Sequence, residues 1–103
     1  MERVVNGQWT PAWWEPQITP GSPFFFSARL HHLAPGAITG GALWLDGREF
    51  PVSVSQGTLR MTVPGDRTAE LAHGGSARVY LDTAEVGRVL WLDGTITSNR
   101  RTP

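Results

Sequence analysis

Twice this chain reads Leu-Trp-Leu-Asp-Gly, once at 43–47 and again at 90–94. Alternation of that kind suits an extended strand, in which successive side chains point to opposite faces. The two Leu then share one face and the Trp takes the other. The Asp-Gly that follows suits a tight turn or a bulge, because Gly accepts positive φ and Asp tolerates it. Around the pentapeptide the copies diverge, GALWLDGREF against RVLWLDGTIT, so they read as two strands of one sheet system and not as a duplicated domain. Gly87–Arg100 reads as the last core strand.

The same grammar governs the rest. Phe24, Phe26, Ala28 and Leu30 alternate with Phe25, Ser27, Arg29 and His31, the pattern of a half-buried strand. Leu59, Met61 and Val63 alternate with Thr58, Arg60 and Thr62, and Ala77, Val79 and Leu81 with Arg78 and Tyr80. Ala42–Leu45 and Arg48–Ser55 flank Asp46-Gly47, a two-residue hairpin signal. Phe50, Val52 and Val54 should face the core, with Pro51 at an edge or outward position. Ala34–Gly41 reads as a turn-rich loop around Ile38. Pro64–Ala72 breaks the alternation, and there Asp66 or Thr68 can cap one or two helical turns carrying Ala69 and Leu71. Short strands at roughly 8–12-residue spacing, one short helical crossover and no long helix predict an all-β chain. The expected architecture is a single immunoglobulin-like antiparallel β-sandwich over residues 24–98, with a small closed barrel as the alternative.

Residues 1–23 are different. Pro11, Pro16, Pro20 and Pro23 prevent a continuous helix and remove ladder donors from any strand. Trp9, Trp13 and Trp14 are nevertheless too apolar for a solvated tail. The expectation is an extended N-terminal arm, with a small hairpin at Val4–Trp9 closed by Asn6-Gly7. Such an arm either docks its Trp residues on a neighbouring subunit or folds back over its own body. Residues 99–103 read as a polar tail.

Composition narrows the function. Nine basic and nine acidic residues balance, which argues against nucleic acid, whose backbone demands clustered positive charge. All nine basic residues are Arg, whose planar fork suits interfaces. No Cys is present, so a disulfide framework and a Cys-based zinc site are both excluded. No apolar run approaches the ~20 residues of a membrane span, and Met1-Glu2-Arg3 begins no secretory signal. His31 and His32 are adjacent on a strand, point to opposite faces and do not readily chelate one ion, while His73 sits in a Gly-rich loop. Asp46 and Asp93 each precede a Gly in an expected turn, where Asp has a local structural job. No nucleophile elbow or phosphate-cradling glycine pattern occurs. The chain reads as a non-enzyme with no cofactor and no metal.

Five Trp in 103 residues are more than a small domain easily hides. If Leu43, Leu45, Leu90 and Leu92 fill the core, Trp44 and Trp91 lie on an outer face, together with Tyr80, as an aromatic patch for a protein or a sugar. The opposite arrangement buries the Trp and half-exposes the Leu.

From Phe24 onward the pattern resembles the LtfC-like β-sandwich domain of tailed-phage structural proteins. The resemblance lies in the order of an aromatic strand (Phe24-Phe25-Phe26), a hydrophobic strand pair (Ala42–Leu45, Phe50–Val54), an alternating strand (Leu59–Val63), a helical turn (Thr68–Ala72), a strand with charged outward positions (Arg78–Asp82) and a final Trp-x-x-Gly strand at Trp91 and Gly94. It implies a structural subunit localised in the virion, in capsid decoration, a neck or collar, or a tail accessory position. The implied partners are other virion proteins and copies of itself, as a homo-oligomer or lattice-bound subunit. Trp9, Trp13, Trp14, Trp44, Trp91 and Tyr80 are then the candidate partner-binding residues. The alternative is a carbohydrate-binding module that stacks sugars on Trp44 and Trp91. An adaptor domain in an ordinary cell is a third reading.

Overall fold

The computed structural model of the chain describes residues 11–30 and 37–98, together with the backbone of 4–5 and 8–9. In chain order the strands are β1 (Val4–Val5), β2 (Gln8–Trp9), β3 (Ala12–Trp14), β4 (Gln17–Ile18), β5 (Phe24–Arg29), β6 (Ile38–Leu45), β7 (Arg48–Ser55) and β8 (Thr58–Val63). The helical turn α1 (Gly65–Thr68) follows, and then β9 (Ser76–Thr83), β10 (Gly87–Thr95) and β11 (Thr97–Ser98). The fold is all-β.

Seven strands hydrogen-bond in the order β3-β10-β9-β6-β7-β8-β5. The hinge of this sheet is β7. Its first half pairs with β6, ending at Ala42↔Pro51, and its second half pairs with β8, beginning at Val52↔Met61. Pro51 is exposed where the strand changes partner, as expected of a residue that lacks a ladder donor. The bend lets the two end strands face each other. Trp14 of β3 packs against Phe24 and Phe26 of β5, with ring centroids 6.4 and 5.4 Å apart. The seven strands therefore form one curled, mixed order, in which the first half of β7 belongs with β6, β9, β10 and β3 and its second half with β8 and β5. The curl is closed by aromatic rings, not by a ladder.

The sheet is also mixed. β3 runs parallel to β10 (Leu92↔Ala12, Asp93↔Trp13, Gly94↔Trp14), and β4 runs parallel to β11 (Thr97↔Gln17, Ser98↔Ile18). Residues 12–18 of the expected arm are thus folded back on their own chain, and Ile18 is buried in the core. The Val4–Trp9 strands pair antiparallel (Val4↔Trp9, Val5↔Gln8). Their Asn6-Gly7 turn, the Trp9 side chain and the tail at 99–103 lie outside the described residues, as do His31 and His32.

What holds the link between β4 and β5 is a buried hydroxyl. Thr68, fully enclosed in α1, accepts a hydrogen bond from the Gly21 N–H at 3.1 Å and donates to the Ser22 carbonyl at 2.8 Å. Thr68 was expected as a possible helix cap. The N-cap is instead Pro64, which has no side-chain cap bond, and the hydroxyl serves a distant loop. Buried polar groups need such partners, so removing one leaves others unsatisfied.

One face of the curled sheet forms a single core. Leu43, Leu45, Leu59, Met61, Val63, Ala77, Val79 and Leu81 are essentially inaccessible, and Leu71, Leu92 and Ile96 join them. Ile38, expected in a loop, is buried at the start of β6. A glycine behind it explains the difference. A Cβ on Gly41 would lie 2.5 Å from the Tyr80 carbonyl oxygen, so Gly41 lets β9 approach closely and does not mark a loop.

Candidate functional site: an aromatic outer face

Strand register lines up the residues on the other face of the sheet. Trp13, Asp93, Arg78, Trp44 and Glu49 are successive cross-strand neighbours from β3 to β7. A second row holds Leu90, Tyr80, Ala42 and Pro51, and a third holds Arg88 and Asp82. Directly opposed side chains on one face lie close enough to interact. Trp13 is 66% exposed, while Trp44 and Tyr80 are half-buried among their neighbours.

Both arginines on this face, Arg78 and Arg88, are paired. Arg78 Nε donates to Asp93 Oδ1 at 3.2 Å, and Arg88 reaches both oxygens of Asp82 at 2.7 and 3.1 Å. The Arg88 guanidinium also lies 6.0 Å from the Tyr80 ring centroid, within cation–π range. The hydrogen bond from Arg88 holds the Asp82 carboxyl below the usual carboxylate range, and the same bond raises Arg88. The hydrogen bond to Asp93 likewise raises Arg78. What the face offers is planar apolar area set between neutralised ion pairs, a composition suited to covering by another macromolecule.

Trp91 is elsewhere. It is 5% exposed and belongs to the core cluster. The pairing of β10 with β9 shifts between Leu90 and Leu92, so Trp91 is the extra residue of a bulge. A bulge advances the alternation by one position. Leu90 therefore stays half-buried on the outer row while Trp91 and Leu92 both go inside. Among the described residues the Trp91 indole N–H has no hydrogen-bond partner. A sugar platform of Trp44 and Trp91 together is not available in this arrangement. Trp14 is also turned inward, onto Phe24 and Phe26.

The other candidates resolve locally. Asp46 accepts a hydrogen bond from the Ala72 N–H at 3.2 Å, and His73 Nδ1 accepts one from the Ser98 N–H at 3.0 Å, pinning β11. Among the described residues no three or more His, Asp or Glu side chains converge as metal ligands, and no helix is long and apolar enough to cross a membrane. Sequence reasoning placed Trp44 and Tyr80 on the outer face but had no means of setting Trp13 beside Asp93. The one available signal was Gly94: a glycine inside a strand marks close backbone approach, and here the backbone is that of Trp14.

Comparison of the chain with models of known protein families and with curated proteins found no match in either case.

Proposed function

We propose that this protein is a non-enzymatic contact module, a structural subunit of a tailed-bacteriophage virion that docks its aromatic outer face on another virion protein. The observation that carries the reading is the register of Trp13, Trp44 and Tyr80 on one face, threaded by the Arg78–Asp93 and Arg88–Asp82 pairs. Rigid aromatic anchors beside Arg are the side chains that dominate protein–protein binding energy. The phage assignment rests on the resemblance of its sequence elements, in their order along the chain, to LtfC-like domains. Decoration of a head, a neck or collar, and a tail accessory position are all served by such a face.

The test is co-assembly. Expressed together with the head, neck and tail proteins encoded in the same genome, the wild-type chain is expected to sediment with assembled particles. The Trp13→Ser/Trp44→Ser variant is expected to stay at the top of the gradient while keeping its far-ultraviolet circular dichroism. A wild-type chain that never sediments with particles overturns the virion reading. A double variant that sediments as well as wild type overturns the role of the face.

A further inference from the structure

The end strand β5 carries a second surface. Its ladder to β8 is regular over all six residues, from Phe24↔Val63 to Arg29↔Thr58, and among the described residues it has no strand on its other side. The Leu30 N–H donates to the Gly57 carbonyl at 2.7 Å, continuing that register. Backbone groups alternate in direction along a strand, so the N–H and C=O of Phe25, Ser27 and Arg29 point to the open side. Among the described residues they have no partner there.

Within β5 the only charge is Arg29, at its far end. Proteins usually blunt an exposed edge with Pro, Lys, an inward charge or a bulge. Residues 24–28, Phe-Phe-Phe-Ser-Ala, contain none of these. The core is also incompletely covered here. Phe24, Phe26 and Ala28 face inward yet remain half-buried, whereas their β8 partners Val63, Met61 and Leu59 are at most 1% exposed. Phe25, on the outer side, is 71% exposed.

We propose that β5 is a self-assembly edge, on which a second copy of this chain adds its own β5 antiparallel about a twofold axis through Ser27. The sequence is self-complementary about that point. Phe25 of each copy then stands opposite Arg29 of the other, so each guanidinium covers a ring and the two Arg29 side chains stay apart. Ser27 faces Ser27, giving three hydrogen-bonded pairs, each exchanging two bonds. Moving the axis to Phe26 or Ala28 leaves only two such pairs within β5. On the inner side Phe26 meets Ala28 of the other copy, adding to the partial cover that Trp14 gives Phe24 and Phe26. A twofold contact of this kind closes on itself and yields a dimer, not a fibre. The inference deepens the structural-subunit reading, on which it rests for the need for repeated copies, but it uses a surface separate from the aromatic face.

Sedimentation velocity on the full chain over a micromolar to millimolar series tests it. Wild type is expected to pass from monomer to dimer. Phe25→Lys sets like charges opposite each other at both ends of the pairing and should raise the dissociation constant about tenfold or more. Adding Arg29→Glu to that variant should restore the dimer through Lys–Glu pairs. Ser27→Pro, which removes an N–H facing the open side, should weaken dimerisation without costing a bond to β8. A wild type that is monomeric throughout, a Phe25→Lys variant that dimerises as well as wild type, or failure of the double variant to recover each overturns the proposal. Dimerisation unaffected by Trp13→Ser/Trp44→Ser supports it. A monomer that still joins particles sinks the edge alone, and a dimer that does not join them sinks the virion reading alone.

Discussion

In the first copy of the repeated pentapeptide, Leu43 and Leu45 are buried, Trp44 is on the outer face, and Asp46 and Gly47 turn the chain at φ of 53° and 78°. In the second, Leu90 takes the outer row, Trp91 is swallowed by a bulge, Asp93 holds Arg78, and Gly94 continues the strand beneath Trp14. Five identical residues thus serve as a hairpin in one place and as the seat of another strand in the other. What differs is the neighbour. Leu43–Gly47 lies between its two antiparallel partners and can end in a turn, whereas Leu90–Gly94 must also receive β3 on its free side. Local sequence chose the strand; its surroundings chose which side chains it hides.

Paired substitutions sharpen that contrast. The widest gap should separate Trp91→Ala from Trp44→Ala. Emptying a buried indole site costs about 3–5 kcal/mol, whereas the half-exposed Trp44 should cost roughly 1 kcal/mol. Urea unfolding of both variants reads this directly, and equal losses would break the comparison. Next come the glycines. A Cβ at Gly94 would overlap the Trp14 carbonyl oxygen, so Gly94→Ala should detach β3 and cost about 2–3 kcal/mol. Gly47→Ala meets open space and only left-handed backbone strain, about 1 kcal/mol. Protease nicking within residues 11–18 should accelerate in the first variant alone; acceleration in both would mean that the two glycines are interchangeable.

The smallest effect belongs to the ion pair beside the second copy. Arg88, on the strand that carries Trp91, depresses the Asp82 carboxyl. A depressed carboxyl contributes stability that is present above its unfolded pKa of about 3.9 and is lost as pH falls through the lower folded value. The pair is partly solvated, so the contribution is at most about 1 kcal/mol. Wild type should therefore lose its margin over Asp82→Asn as pH is lowered from 5 toward the folded pKa, below about 3.9. A margin that instead grows on acidification would reverse the assigned sign.

Much of the fold was legible in period-two patterning. β5, β7, β8 and β9 follow their alternation, and Asp46-Gly47 is the turn its composition announces, with both residues at positive φ. The candidate face was legible only in part. Tyr80 sits on an uninterrupted alternating strand and Trp44 on the regular part of β6 beyond its irregularity at Ile38–Gly40, so their side of the sheet follows from counting. Trp91 does not, because one inserted residue flips the phase and nothing in Val-Leu-Trp-Leu marks the insertion. Trp13 was out of reach for another reason: parallel pairing of β3 with β10 is set by distant packing, not by a local turn. Gly40-Gly41 misled in the opposite direction. Gly41, read as loop, is required by the close passage of β9.

The pairing of β3 and β4 with β10 and β11 also sets an order of events at the ribosome. Ala12 meets Leu92, 80 positions later, so residues 12–18 are made early and must wait for most of the chain. Until Leu92–Gly94 emerge β3 has no ladder partner, and until Thr97 and Ser98 emerge β4 has none; closing so long a loop is slow. During synthesis the nascent chain therefore carries β3 and β4 without ladder partners, and these early-made strands are the last to be seated.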